Sequence, residues 1–180
     1  MTGSSAAPDD APSDSQRDAQ PLSGVPGDDA QLPGPGRKRQ AWRAYFETTA
    51  VLQDQLERSL RAETGLHLAD YNLLLLLTEA PDHRMRMGEL AGRMVFSPSR
   101  LTYQVRTLEQ RGLVERCAAP GDKRGAEAVL TEDGRHLFRR AAALHFRDVT
   151  DRVLDRIDDE EADVLLRVFS RLGDALHEEQ

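Results

Sequence analysis

Arg100, Tyr103 and Arg106 stand three residues apart directly behind a Ser97-Pro98 pair, and together they could read the edges of stacked bases. A guanidinium offers two parallel donors to guanine, and an aromatic edge can meet a thymine methyl. Hydroxyls such as those of Ser97, Ser99 and Thr102 suit phosphate oxygens. Such a set works only if one rigid element presents it. Ser97 is a good N-cap, and Pro98 suits the first helical position, where its missing N–H costs nothing. Gly112 is the expected left-handed C-cap. At about 100° per residue, Leu101, Val105 and Leu108 fall on one side of this helix and Ser99, Tyr103, Arg106 and Gln110 on the other, with Arg100, Thr102 and Thr107 on the flanks. The competing reading is an ordinary solvated helix face.

The flanking sequence bears on that choice. Small residues Ala91 and Gly92 sit where a short preceding helix can approach its neighbour before a turn, so residues 86–113 read as helix, tight turn, helix. That unit places its second member in a DNA major groove. Val114 to Cys117 and Ala126 to Leu130 read as short strands around a Pro/Gly turn, Ala118 to Gly125, that carries Asp122, Lys123 and Arg124. A hairpin behind a reading helix is a wing, and its basic tip suits phosphates or an adjacent minor groove. Thr131 should cap the next helix, with Glu132 and Asp133 in its first turn.

Charge is partitioned along the 180 residues. The formal net charge is -7, which excludes a globally basic nucleic-acid coat. Residues 84–124 nevertheless carry nine basic and four acidic side chains. Residues 1–36 hold six of the nine prolines and six aspartates against Arg17 alone, the composition of a disordered acidic tail. The stretch 151–180 has ten acids against four arginines. The longest apolar run, Leu73 to Leu77, is far short of the roughly 20 residues a membrane span needs. No basic region followed by an apolar stretch opens the chain, so no signal peptide is expected. One cysteine cannot form an intrachain bridge, and a cytoplasmic setting is the expectation.

The elements around the reading unit are helical by periodicity. Trp42, Tyr45, Phe46, Thr49, Leu52, Leu56 and Leu60 form one apolar stripe that ends near Gly65. Tyr71 to Leu77 is apolar all round, which implies burial on several faces. Phe138, Ala141, Ala142, His145, Val149, Val153 and Ile157 form a third stripe, and Ala162, Leu165, Leu166, Phe169, Leu172 and Leu176 a fourth. The terminal helices are long for the globule between them. Their stripes fit a two-fold homodimer, the alternative being packing within one chain.

The residues Leu108-Glu109-Gln110-Arg111-Gly112-Leu113-Val114-Glu115-Arg116, followed by Asp122-Lys123-Arg124 and by Leu130-Thr131 with Gly134, resemble the LExxGLVxR, D-x-R and LTxxG elements of the MarR family. The resemblance covers about residues 37–180. It implies a fold that is mainly α with a small β-hairpin wing, a winged helix-turn-helix with N- and C-terminal dimerisation helices. The DNA-binding lobe would span about 70–135, and the dimerisation helices about 37–65 and 135–178. It further implies a transcriptional regulator, usually a repressor, that binds a near-palindromic duplex operator as a homodimer and is released by a small ligand or by oxidation. Arg100, Tyr103 and Arg106 are the expected base-edge contacts, and Ser97, Ser99 and Thr102 the phosphate contacts. Lys123 and Arg124 would lie along the backbone and minor groove, with Asp122 orienting the wing by an ion pair. The chain departs from the pattern in one respect. Many relatives carry arginine at the place of Tyr103 and an acidic residue at that of Arg106, so their base preference does not carry over.

Ligand-responsive members of the family bind small, often anionic aromatic compounds between the dimer helices and the DNA-binding lobe. The matching regions hold Trp42, Tyr45, Phe46, His67 and Tyr71, which could stack a ring and hold a polar group, or could be core. Cys117, beside Arg116, could act as an oxidation sensor or pack as a small hydrophobe. The family's peroxide sensors carry their cysteine near the first helix, where this chain has none. Five scattered histidines show no metal-ligand spacing, so no metal or other cofactor is expected. No phosphate loop, nucleophile elbow or poised carboxylate pair suggests an enzyme. A winged-helix protein-interaction module without DNA binding would be expected to lose Arg100, Arg106, Lys123 and Arg124, and all four are present.

Overall fold

The computed structural model describes residues 36–119 and 122–178, and the side chains of all of these except 122–124 and 177. The chain is mainly helical with a small three-stranded antiparallel sheet. In order the elements are α1 (Gly36–Thr64), α2 (Leu68–Glu79), a 3-10 turn (Pro81–His83), β1 (Arg84–Arg86), α3 (Met87–Arg93), α4 (Pro98–Gln110), β2 (Val114–Ala119), β3 (Asp122–Leu130), α5 (Glu132–Arg152), a second 3-10 turn (Leu154–Arg156) and α6 (Asp159–Glu178). The expected tail, residues 1–36, lies outside the described residues except for Gly36. Among the described residues no helix is long and apolar enough to cross a membrane.

The core gathers the leucines of α2, whose Leu73, Leu74 and Leu77 are fully buried, with Leu90 of α3, Leu101, Val105 and Leu108 of α4, Val114 of β2, Ala128 of β3 and Phe138 of α5. With Leu75 and Leu76 half-buried and Asn72 exposed, α2 is buried on several of its faces, as its run of leucines implies. The long helix α1 behaves differently. Only Leu56 and Leu60, near its C-terminal end, are buried, while Trp42, Tyr45, Phe46 and Val51 are exposed. Of the α6 stripe, Leu165, Leu166, Phe169, Leu172 and Leu176 are exposed as well, with Val164 beside them, while Ala162 is half-buried.

Three features correct the sequence expectations. First, β1 has no counterpart among them. Its three residues pair with β3 as Arg84↔Val129, Met85↔Ala128 and Arg86↔Glu127, giving the strand order β1-β3-β2. Second, the hairpin is longer than expected. Backbone pairing runs on through Ala118↔Ala126 and Ala119↔Asp122, with a register shift between Ala118 and Ala119, so Asp122, Lys123 and Arg124 begin a strand and do not sit in a turn. Third, the stripe assigned to one helix up to Ile157 is broken. The α5 helix stops at Arg152 because Val153 leaves helical geometry (φ -127°, ψ -61°), and Ile157 is extended.

Candidate nucleic-acid interface

The second helix of the helix-turn-helix pair is built as its terminal residues dictate. The Ser97 hydroxyl accepts the Arg100 N–H at 3.3 Å, Pro98 is the first helical residue, and Gly112 follows the helix in the left-handed region (φ +70°). Leu101, Val105 and Leu108 face inward, and Ser97, Ser99, Arg100, Thr102, Tyr103, Arg106 and Gln110 are exposed, Tyr103 at 72%. An apolar face against the domain and a polar, cationic face toward solvent is the arrangement groove reading needs.

The exposed groups are not equally free to move. The Arg100 guanidinium lies 3.8 Å from the centroid of the Phe96 ring, a cation–π contact that holds it beside the turn. The hydroxyls of Ser97 and Ser99 meet at 3.2 Å, and Thr102 Oγ1 donates to the Pro98 carbonyl at 2.8 Å. Among the described residues Arg106 makes no ion pair, so its guanidinium is available to an outside acceptor. Asp122, Lys123 and Arg124 belong to the wing by their backbone, while their side chains lie outside the described set.

The turn between the two helices closes in an unexpected way. Val95 N–H donates to the Gly92 carbonyl at 3.0 Å and Phe96 N–H to that of Ala91 at 2.9 Å, a left-handed helix stop centred on Val95 (φ +53°). Glycine is the usual residue there, and valine is strained by its β-branch.

Several motif residues acquire roles that spacing did not disclose. The Glu109 carboxylate accepts the Arg116 N–H at 3.2 Å, tying the end of α4 to β2. Thr131 caps α5 as expected, accepting the Gly134 N–H at 3.0 Å, and beyond that expectation its hydroxyl donates to the Gly112 carbonyl at 2.7 Å. Asp70, only 2% exposed, is the residue that sequence reasoning missed most plainly. Its Oδ1 accepts from Gln104 Nε2 in the middle of α4, while Oδ2 accepts the His67 N–H at 2.9 Å and lies 3.7 Å from Arg111 Nη1 at the end of α4. An aspartate three residues after a helix start reads as an exposed cap, so no local signal announced its burial.

The five residues assigned to an effector do not form one cluster within the chain. Trp42 stacks with Tyr45 and Phe46, and Tyr45 with Phe169 of α6, at centroid distances of 5.4 to 5.9 Å. Trp42 lies about 33 Å along α1 from Thr64, at the end nearer His67, because a helix rises 1.5 Å per residue. These three rings are also not core, Trp42 being 63% exposed. Tyr71 is buried against Phe138 and against His145, whose ring centroid is 4.6 Å away. His67 contacts Glu57 through Nδ1, and the other Glu57 oxygen accepts the Leu68 N–H at 2.7 Å. Burial pushes the Glu57 carboxyl up, but this N–H and His67 bring it net below its ordinary range.

A polar cluster lies beyond Tyr71. Burial lowers the His145 pKa, with Asp148 opposing. Asp148 is itself buried, which raises its pKa, yet hydrogen bonds from Ser59 and Arg152 with the charges of Arg152 and Arg147 bring it net below the usual value. Arg152 Nη1 stands 2.9 Å from Asp148 Oδ1. Cys117 is exposed, opposite Glu127 on β3, which corrects the reading of it as a packed hydrophobe. Among the described residues no group of three or more His, Cys, Asp or Glu could hold a metal ion.

Comparison with known proteins places this geometry among relatives. The family model described as MarR family matches residues 64–125. The fold is similar to that of Sco3205, a MarR family transcriptional regulator from Streptomyces coelicolor in complex with DNA, at 35% identity and a TM-score of 0.77, covering 81% of this chain and 91% of that one. It is equally similar to AbsC, a MarR family transcriptional regulator from the same organism, at 33% identity and TM-score 0.77, over 81% and 98% of the two chains. The HTH-type transcriptional repressor Rv2887 of Mycobacterium tuberculosis is 30% identical over 128 residues, 71% of this chain and 89% of that protein.

Proposed function

The chain belongs to the MarR family of transcriptional regulators, DNA-binding proteins and not enzymes, and from that premise we propose that it is a cytoplasmic homodimeric repressor of a near-palindromic operator. One observation carries the reading: the capped helix α4 turns Leu101, Val105 and Leu108 inward and leaves Arg100, Tyr103 and Arg106 outward along its first nine residues. In this reading the lobe of about residues 70–135 binds duplex DNA. Arg100, Tyr103 and Arg106 meet base edges, and Ser97, Ser99 and Thr102 meet phosphates. The wing residues Asp122, Lys123 and Arg124 follow the adjacent minor groove. Residues 37–65 and 135–178 supply the dimer contact, a role supported by the exposed apolar side chains of α1 and α6.

Release by a small aromatic or anionic effector is the companion proposal. Trp42, Tyr45 and Phe46, exposed toward the N-terminal end of α1, would line such a site with a second chain, and His67 and Tyr71 would belong to a separate one near its other end. Oxidative release is a second reading, favoured by the exposed Cys117 thiol. Selection of bound duplexes from a random pool tests the central claim. A recovered palindrome supports both sequence reading and two-fold symmetry, and a pool that returns no sequence overturns the repressor reading. The recovered duplex then serves to screen aromatic acids and peroxide for release.

A further inference from the structure

Most of what holds α4 in place is apolar, and apolar packing alone tolerates small rolls and slides of a helix. One contact does not. Asp70, at the start of α2, is a carboxylate buried to 2% exposure, with one partner from the middle of α4 and another from the residue that follows it. Gln104 donates to Oδ1, and the Arg111 guanidinium lies 3.7 Å from Oδ2. Gln104 and Arg111 are seven residues apart, two helical turns, so they project from the same side of α4 about 10 Å apart. A single tether lets a helix rotate about it. Two tethers to one buried anion define both its roll and its position along its axis.

Capping α2 does not require this. The cap needs only the bond from the His67 N–H to Oδ2, which a solvent-exposed acidic side chain could supply without desolvation. Burying a carboxylate is costly unless its oxygens are matched, and the two matching groups besides the His67 N–H come from α4 and the residue that follows it. Hydrogen bonds are directional where leucine contacts are not, which makes a buried polar group a device for specificity more than for stability. Roll matters on the far side of the helix, because Arg100, Tyr103 and Arg106 must meet base edges within hydrogen-bond tolerance.

We propose that Asp70 is a positioning residue for DNA reading, acting through Gln104 and Arg111 to set the roll and axial register of α4. This rests on the reading that α4 enters the major groove. Gln104 is half-buried on the inner flank and is not itself a base contact in this proposal.

The test compares the full-length wild type with Gln104→Glu and with the double variant Asp70→Asn/Gln104→Glu. Binding to the duplex selected by the wild type and to a scrambled duplex of equal length is titrated at one salt concentration. Gln104→Glu sets two carboxylates together with no donor between them. It should lose about 10- to 100-fold on the selected duplex, the worth of one or two base contacts, and no more than about twofold on the scrambled one. The double variant reverses donor and acceptor and should regain most of the discrimination, which a direct Gln104 contact to DNA would not allow. Should Gln104→Glu fail to fold by thermal melting, Gln104→Met removes the donor with similar bulk and carries the same expectation. An unchanged discrimination in the folded variant, or a double variant no better than the single, overturns the proposal. A wild type that binds both duplexes equally overturns the groove reading and this proposal with it.

Discussion

A Cβ placed on Gly134 would stand 2.1 Å from the carbonyl oxygen of Leu113, and 2.8 Å from Leu130 Cδ1. The first turn of α5 is therefore seated directly on the backbone of the turn that follows α4. The Thr131 N–H donates to that same Leu113 carbonyl at 3.2 Å, and its hydroxyl to Gly112. The Leu-Thr-x-x-Gly and Gly-Leu-Val segments are thus two sides of one joint. Backbone sits opposite backbone there, so no side-chain rotation can relieve an added methyl. Gly134→Ala is expected to destabilise the protein by about 3 kcal/mol, at the upper end of overpacking effects. Urea unfolding of the two proteins measures it, and a loss under about 1 kcal/mol would mean the joint opens easily.

Val95 should respond in the opposite sense. A left-handed conformation costs an L-residue about 1 to 2 kcal/mol, and the side chain is 76% exposed, so it returns little by burial. Val95→Gly is expected to stabilise by about 1 kcal/mol after allowing for glycine's greater unfolded-state entropy. A lower melting temperature for the glycine variant would refute the strain.

Arg106→Ala is expected to cost about 1 to 3 kcal/mol on the selected operator and to relax base choice at one position in each half-site. Equal losses on operator and scrambled duplex would assign the side chain to phosphate. Arg124→Ala should instead weaken both duplexes and flatten the salt dependence of binding. An unaltered salt slope removes the wing from the interface.

Leu166, 67% exposed on α6, tests the dimer. The wild type should scatter light as a particle of about twice the 20.1 kDa chain mass, and Leu166→Asp should shift it toward the single chain. A wild type of single-chain mass at micromolar concentration ends the homodimer proposal.

Acid should unfold the protein through identifiable groups. His145 has a depressed pKa in the folded state, so below about pH 6.5 the unfolded chain binds a proton that the folded one refuses. Its contribution is complete above that pH and is lost as pH falls through the folded value. Glu57 and Asp148 are also depressed, and their stabilisation disappears at lower pH, below the ordinary carboxylate range. His145→Gln should remove the first decline while leaving the second. A variant whose stability falls between pH 6.5 and 5 as steeply as the wild type's would show that another group titrates there.

Much of this molecule was decided locally and could be read in one dimension. Ser97 with Pro98, Gly112, and Thr131 with Gly134 act over three or four residues, so the ends of α4 and the start of α5 follow from their own neighbours. The inward and outward faces of α4 follow from helical period in the same way. The three-residue strand β1 was not legible, because the alternation of Arg84-Met85-Arg86 is too short to stand out and the strand exists through pairing with residues more than 40 positions later. The hairpin's length was not legible either, because cross-strand bonds carry it past Ala118 despite weak strand formers.

The distribution of exposure was likewise a tertiary matter. A stripe such as Trp42, Tyr45 and Phe46 states that a face is apolar, and only the fold shows that the described residues leave it exposed apart from the contact of Tyr45 with Phe169. The sequence alone determined the capped helix α4, the outward arginine and tyrosine set on it, and the winged family pattern, because each depends on contacts within a few residues. Tertiary structure alone decided that Asp70 is buried, that Gln104 and Arg111 converge on it, and that Gly134 meets Leu113. These are contacts between segments 20 to 40 residues apart, and their energies come from desolvation and close approach, which no local spacing encodes.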